Sequence, residues 1–493
     1  MISFAICLIA LVVGYFTYGK LVEKVFGPDG RITPAVSMAD GVDYIVMPNW
    51  KVFLIQFLNI AGTGPIFGAI MGAKFGPSSY LWIVFGCIFA GSVHDFMVGM
   101  LSMRNGGASL PGIVGKYLGH KAERAILLFS VFLLLILGSV FVYSPAEILE
   151  MFGGTTAMWV IIIFLYYIVA TLLPIDKLIG RIYPLFAVAL LFMAVALVVV
   201  LVLKLPSIPE IWDGLGNKAL AADPTFKDQL FPCLFITIAC GAISGFHATQ
   251  SPLMARCLKS ESMGRPIFYG AMITEGIVAL VWAAVSSYFF YGDPTPGYTL
   301  FDATKELGLT TSAPKVVYLM CEDWLGIVGG ILAVLGVVAA PITSGDTAFR
   351  SARLIVAEAF HVKQKAIRNR LAICIPMFLA CIALLFWQVD NPDGFNIVWK
   401  YFGWANQTLA VFGLWTITAF LAISGKKYVI TLIPALFMTL VCSTFLFVSY
   451  QAFGLPEAVG YPLGGAVMVG AGVWFFVWHS RYENKKKGES LND

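Results

Sequence analysis

The sequence predicts an all-α protein with many membrane-spanning helices, and three observations support this fold class. Of the 493 residues, 59% are apolar and only 12% are charged, about half the charged share of a soluble domain. The apolar residues form blocks of roughly 20, long enough to cross a bilayer as helices. Segments 125–143 and 185–203 also lack the polar face of a buried helix in a soluble protein.

The apolar blocks follow one another with connections too short to form a separate soluble domain. The first block has no basic region before it and no small-residue cleavage site after it, so we expect a mature helix rather than a signal peptide. We predict thirteen spans, at about 1–19, 51–74, 78–101, 122–143, 155–173, 181–204, 229–257, 268–290, 325–350, 371–388, 397–423, 428–452 and 460–479.

Lysine and arginine residues are unevenly distributed between the two sides of these spans. Because such residues are enriched in cytoplasmic loops, we predict an inner-membrane protein with an external N-terminus and a cytoplasmic C-terminus. Of the 32 Lys and Arg residues, the few on the predicted outer side are Lys74, Lys204, Lys218, Lys227, Lys305, Lys315 and Lys400.

The second span contains helix-breaking residues at its middle, in the sequence IAGTGPIFG. Proline has no N–H group, so Pro65 leaves the carbonyl of Ala61 without its helical partner, and Gly62 and Gly64 weaken the helix beside it. An unpaired backbone group in hydrocarbon costs several kcal/mol, so a break persists only inside protein or beside a wet cavity. We therefore predict a broken helix here.

The seventh span contains the same kind of signal, in IACGAISGFHATQSPLMA. Gly241, Gly245 and Pro252 predict a second break, in which Pro252 frees the carbonyl of Ala248. The ends of two half-helices facing one cavity offer amide hydrogens and carbonyls together, a site for an anion and a cation. The alternative is that the glycines only allow close helix packing.

The two breaks lie five spans apart, so they have opposite orientations in the membrane. This arrangement is typical of an inverted repeat. We predict an extra helix and a cytoplasmic loop in 1–50, five-helix repeats in 51–210 and 211–425, and two helices with a basic cytoplasmic tail in 426–493.

The ninth span carries oxygen-bearing residues that share one helix face. Oxygen-only ligation suits a hard cation such as sodium, and the first break could add backbone oxygens. The alternative is that the hydroxyls bond back to the helix and Asp346 pairs with Arg350. The predicted coupling-ion residues are Ala61, Gly62, Ala340, Thr343, Ser344 and Asp346.

Further polar residues at membrane depth are functional candidates because such groups are costly there. We place Phe246 and His247 inside the second break, and His94, Asp95 and Glu275 in a proton relay; structural hydrogen bonding is the alternative. The predicted substrate-binding residues are Gly62, Thr63, Gly64, Pro65, Gly241, Ser244, Gly245, Phe246, His247, Thr249, Gln250, Asn406 and Gln407.

Motifs for catalysis or ATP binding are missing from the sequence: it has no HExxH, GxSxG or GxxxxGK[ST]. The nine cysteines form no CxxC pair, so we expect small apolar side chains rather than disulfides or zinc ligands. We predict no enzyme activity, no cofactor, and no metal beyond sodium. A channel and an integral-membrane enzyme remain as alternative classes.

Several of these stretches together resemble the carbon starvation A (CstA) family of membrane transporters. The similar stretches are TPAVSMADGVDY, IAGTGPIFG, WIVFGCIFAGSVHDFMVGMLSMRNGG, SGFHATQSP, TSGDTAFRSAR and WKYFGWANQTLA. The resemblance implies a LeuT-like core of five plus five helices, and peptide uptake during nutrient limitation. By analogy with sodium-coupled LeuT-type transporters, Ala340, Thr343 and Ser344 fall at a sodium site.

We therefore expect a secondary active transporter that imports short peptides, driven by a proton or sodium gradient. Other members of the family are associated with proton-coupled pyruvate uptake, so a small-carboxylate symporter is the alternative. The expected partners are the substrate and the lipid bilayer, without nucleic acid. The sequence does not predict the oligomeric state.

Overall fold

The computed structural model is built of α-helices, with no strand in the part of the chain that it describes. That part comprises residues 1–41, 43–172, 175–292, 309, 311–364, 366–391 and 394–489. The helices are α1 (Ile2–Phe16), α2 (Tyr18–Phe26), α3 (Pro34–Ser37), α4 (Asn49–Ala61), α5 (Ala69–Ala73), α6 (Ser78–Gly86), α7 (Ser92–Arg104), α8 (Leu110–Leu118), α9 (His120–Glu150), α10 (Thr156–Leu172), α11 (Ile175–Lys204), α12 (Lys218–Ala222), α13 (Leu230–Thr237), α14 (Gly245–Ala255), α15 (Gly270–Tyr291), α16 (Ala313–Ala359), α17 (Ile367–Asp390), α18 (Gly394–Ile423), α19 (Val429–Val448) and α20 (Glu457–Glu489).

The membrane prediction is confirmed by the length and composition of these helices. Within the described ranges, nine helices are long and apolar enough to span a bilayer, or up to ten when the bent pair α4 and α5 is counted as one span. The other predicted spans fall on α10, on the interrupted pair α13 and α14, and on α16, which Gly326 bends at φ 65°. The count of thirteen, the inverted repeat and the domain boundaries remain predictions.

Small residues let the central helices approach closely. A Cβ on Gly138 of α9 would lie 2.5 Å from Cζ of Phe349 in α16, and a Cβ on Gly345 of α16 would overlap the Tyr167 ring. Close packing at small residues is a principal source of helix association in membranes. These contacts hold α16, which carries the predicted coupling-ion residues, against α9 and α10.

One ion cluster joins the N-terminal segment to the turn after α14, on the predicted cytoplasmic side. Arg104 donates from Nε and Nη2 to the Glu261 carboxylate, each at 2.9 Å, and the Asp29 N–H donates to Glu261 at 3.0 Å. Arg31 donates in turn to Asp29. These hydrogen bonds from Arg31 lower the pKa of the Asp29 carboxyl, which favours the charged form of that side chain.

Lys74 lies immediately after α5, on the predicted outer side, and only 5% of its surface is exposed. Its ammonium lies 3.5 Å from the Thr311 carbonyl and 5.4 Å from the Phe290 ring centre. Burial lowers the pKa of this lysine to about 8, because the charged form loses hydration.

Candidate functional site

The first predicted break is confirmed. Helix α4 ends at Ala61, Gly62 has φ 11° and ψ −140°, and a π-helical turn, Gly64–Gly68, leads into α5. The two halves are bent by 49°. Pro65 lies at the start of the second half, where a missing N–H costs little, so the glycines before it form the interruption.

The second break lies earlier in the chain than the sequence predicted. Helix α13 ends at Thr237, residues 238–244 are not helical, and α14 begins at Gly245. Gly241 lies in this segment with φ 92°, a conformation that favours glycine. Pro252 lies inside α14, so the prediction that it marks the break was wrong.

The same shift corrects the placement of several predicted substrate-binding residues. Gly245, Phe246, His247, Thr249 and Gln250 lie in the first two turns of α14, whereas we predicted an unwound segment there. The physical reason is a side chain from α18 that stabilises the beginning of α14.

That side chain is Asn406. Its Oδ1 accepts the Phe246 N–H at 2.7 Å and the Ser244 hydroxyl at 3.1 Å. The first N–H groups of a helix have no partner within the helix, and Asn406 supplies one from 160 residues away in the chain. Ser244 thus lies in the break beside the capped helix end.

The two breaks contact each other in the buried core. A Cβ on Gly64 would overlap the side chain of Cys240, and one on Gly68 would lie 3.0 Å from the Thr237 carbonyl oxygen. A Cβ on Gly241 would lie 3.7 Å from Cα of Pro65. Residues 62–65 and 238–245 are all buried. Two interrupted helices therefore meet at one place inside the protein.

A chain of ionisable side chains lies beside this junction, and all four of its members are fully buried. Asp95 of α7 is at its centre: Oδ1 lies 2.9 Å from His94 Nδ1, and Oδ2 lies 2.8 Å from His247 Nδ1. The other ring nitrogen of His247 lies 3.4 Å from Glu275 Oε2. The structure thus brings the predicted relay residues His94, Asp95 and Glu275 together through His247; the relay itself remains a prediction.

Cys240 also lies in the second break, although it was not among the predicted site residues. Its sulfur, a ring nitrogen of His247 and a Glu275 oxygen lie within 4.8 Å of one another. Among the described residues, His247 Nε2 and the two Glu275 oxygens make no hydrogen bond of good geometry. The only available sequence signal is that Cys240 precedes Gly241, within a segment already predicted to be broken.

The predicted coupling-ion residues lie close to the first break. Ser344 Oγ donates to the Leu58 carbonyl at 2.9 Å. A Cβ on Gly62 would lie 3.3 Å from Ser344 Oγ. Thr343 Oγ1 donates back to the carbonyls of Ala339 and Ala340, both at 2.9 Å. The back-bonding alternative therefore describes Thr343, whereas Ser344 joins α16 to α4.

Asp346 has an unpredicted partner, Tyr183 of α11. Its Oδ2 accepts the Tyr183 hydroxyl at 2.7 Å, and the same hydroxyl lies 3.0 Å from the Thr343 carbonyl. Asp346 Oδ1 has no hydrogen-bond partner among the described residues. Arg350 donates to the Ala170 carbonyl at 3.0 Å.

The remaining predicted polar side chains either hydrogen-bond to neighbouring residues or lack a hydrogen-bond partner among the described residues. Gln407 donates to the Phe235 carbonyl at 2.8 Å, which holds α18 to α13. Gln250 donates to Ser351 at 3.2 Å. In the described part of the chain, Thr63 Oγ1 and both polar atoms of the Asn59 side chain are buried without a partner. Asn59, which precedes the first break, is a further polar residue that the sequence analysis missed.

The fold and this site define a multi-pass α-helical membrane protein built around two interrupted helices. The chain belongs to the carbon starvation protein CstA family, whose model matches residues 1–151, 141–294 and 308–445. This confirms the family resemblance seen in the sequence.

Curated relatives cover most of the chain. An uncharacterized membrane protein of Haemophilus influenzae is 47% identical over 340 residues, 59% of this chain and 91% of that one. The peptide transporter CstA of Campylobacter jejuni is 27% identical over 88% of this chain and 78% of its own. The peptide transporter CstA of Escherichia coli is 26% identical over 91% and 80%.

Among solved structures, a mutant of the manganese transporter of Eremococcus coleocola has a similar fold. The TM-score is 0.56 at 12% sequence identity, covering 91% of this chain and 99% of that one. At this identity the likeness shows the fold alone. The predicted LeuT-like relationship remains a prediction.

Proposed function

We propose that this protein is a secondary active transporter that imports short peptides across the inner membrane under nutrient starvation. One observation carries the proposal: two interrupted helices meet in the buried core, where Gly64 lies against Cys240. Transporters bind substrates at such breaks, because half-helix ends offer unpaired N–H and C=O groups at mid-membrane. Rocking of one helix group around the site would give alternating access.

Peptide is the proposed substrate because the relatives that match most of the chain are named peptide transporters. A substrate carboxylate suits the N-terminal end of α14, where the helix dipole favours negative charge. A small carboxylate such as pyruvate is the second candidate, since it offers the same group. We do not propose manganese as a substrate, because the manganese transporter is only 12% identical to this chain.

We propose sodium as the coupling ion, held by oxygens of Ala61, Gly62, Ala340, Thr343 and Ser344. Supporting this, Ser344 bridges α16 to the end of α4, beside the first break. Its hydroxyl and that of Thr343 both keep lone pairs that can face a cation. A proton gradient is the alternative, with His94, Asp95 and Glu275 as the relay.

The proposal is tested by counterflow in proteoliposomes that contain the purified protein. Labelled dipeptides, tripeptides, amino acids and pyruvate are offered in parallel, with protein-free liposomes as the control. We expect exchange of unmodified peptides, and accumulation against their gradient when an ion gradient is imposed. Flux that only dissipates the solute gradient would show a channel, and a chemically altered solute would show an enzyme.

A further inference from the structure

We propose that Cys240, His247 and Glu275 form a binding site for a divalent transition metal ion of the zinc type. The ligands come from three elements: the second break, the first turn of α14, and α15. All three side chains are fully or almost fully buried. The inference does not depend on the proposed transport function.

The spacing of the donor atoms suits a metal ion. The three ligand atoms lie within 4.8 Å of one another, and His247 Nε2 lies 3.4 Å from Glu275 Oε2. Two ligands at about 2.1 Å from a tetrahedral ion are about 3.4 Å apart, so this pair needs no rearrangement.

The Cys240 sulfur contacts the Ser244 hydroxyl at 3.4 Å, whereas the other two ligands are poorly satisfied. His247 Nε2 and both Glu275 oxygens are buried and make no hydrogen bond of good geometry among the described residues; their contact with each other is long, at 3.4 Å. An unpaired buried polar group costs about 1–3 kcal/mol, and more when it is charged. A cation between these atoms would remove that cost.

The surroundings of His247 have the form of an outer coordination shell. Nδ1 of His247 binds Asp95 at 2.8 Å, and Asp95 in turn binds His94. A carboxylate on one ring nitrogen orients the other nitrogen toward a metal and raises its basicity. Asn406 Nδ2 lies 3.9 Å from the Cys240 sulfur, a position from which it can stabilise a thiolate.

The ligand set determines which ions fit. Thiolate and imidazole select borderline and soft ions such as zinc, cobalt(II) and iron(II), whereas magnesium and calcium prefer oxygen alone. Three protein ligands leave a fourth position for water or substrate, the pattern of reactive rather than purely structural zinc sites. The site lies where the two breaks meet, so that position is available to a substrate bound there.

The test is cobalt(II) binding to the full-length protein, purified in detergent and stripped of metal with a chelator. After removal of excess ion we expect about one cobalt per chain, with the intense visible absorption of a tetrahedral site and a near-ultraviolet sulfur-to-cobalt band. Cys240→Ser should remove the sulfur band, and Asp95→Asn should weaken binding about 10- to 100-fold. Cys257→Ser, at another buried cysteine, should change neither.

Each variant is checked for a single peak in gel filtration and for its melting temperature. X-ray absorption of the unaltered protein provides a second measurement that needs no variant, and one sulfur neighbour of cobalt is expected. The proposal is overturned by an oxygen-only shell, or by equal cobalt content in the unaltered protein and the folded Cys240→Ser variant.

Discussion

Gly64 of the first interrupted helix lies directly against Cys240 of the second, with no room for a Cβ between them. The overlap involves the Cβ of Cys240, which cannot move without its backbone. We predict that Gly64→Ala destabilises the protein by about 1–3 kcal/mol, the usual cost of overpacking, and abolishes peptide counterflow. Thermal unfolding in detergent and the proteoliposome assay measure these effects.

Gly465 offers a matched control, because it lies in a helix and a Cβ there would meet nothing within 4 Å. Gly465→Ala should keep full counterflow and lose no stability. Equal behaviour of the two variants would mean that the junction of the breaks tolerates added volume.

Asn406 is predicted to stabilise the start of α14. Asn406→Leu removes the acceptor for the Phe246 N–H, and loss of a helix cap costs about 0.5–2 kcal/mol. Asn406→Asp keeps an acceptor oxygen and should retain most of the stability. Melting temperatures of the two variants test this difference.

Gln388→Leu is the contrast to Asn406→Leu. Gln388 is buried, and neither of its side-chain polar atoms has a partner within the described part of the chain. Its replacement by leucine should therefore not lower the melting temperature. A similar loss in both variants would show that any buried amide-to-leucine change is harmful, without a capping role for Asn406.

The double variant Thr343→Ala with Ser344→Ala tests the proposed sodium site. It removes two hydroxyl oxygens, and we expect the sodium concentration for half-maximal uptake to rise about tenfold or more, equivalent to roughly 1.4 kcal/mol of binding free energy. Initial uptake rates at a series of sodium concentrations measure the change.

Thr347→Ala is the control on the same helix. Thr347 Oγ1 donates only to helix carbonyls, those of Ser344 at 3.0 Å and Thr343 at 3.4 Å. Its sodium response should match that of the unaltered protein. Sodium dependence that survives unchanged in the double variant would place the ion elsewhere.

Lys74 makes stability depend on pH. Its pKa is lowered from the ordinary 10.5 to about 8 in the folded protein. Between these two pH values the unfolded chain therefore binds more protons than the folded protein. Stability must therefore rise with pH from about 8 to 10.5. Lys74→Met should be more stable at neutral pH and should lack this rise. Melting temperatures of the unaltered protein and the variant at several pH values test this prediction. Lys20→Met, at an exposed lysine, is the control.

The sequence was sufficient to predict features that depend on local chemistry. Gly62 and Gly64 weaken a helix beside a proline, so the first break was visible in its own residues. The burial of ionisable residues in apolar blocks likewise identified Asp95 and Glu275 as candidates. The structure brings both beside His247; the contact between Glu275 and His247 was not predicted, and the roles of these residues remain predictions.

Features that depend on distant contacts could not be predicted in this way. Proline at 252 suggested a break, but Asn406 from α18 fixes the helix start at Gly245 and α14 continues through the proline. Cys240 looked like a small apolar residue until the fold placed it beside His247 and Glu275. The hydrogen bond between Tyr183 and Asp346 was likewise not predictable, because the fold brings together two residues that lie 163 positions apart in the chain.

The cap on α14 also has a consequence for affinity. An anionic solute that takes the Phe246 N–H must first displace the Asn406 oxygen, which already binds it at 2.7 Å. Exchanging one acceptor for another yields little net free energy, so Asn406 acts as an internal competitor. In the proposed transport cycle, such a weakly bound solute would be released readily on the far side of the membrane, which favours fast turnover over tight binding.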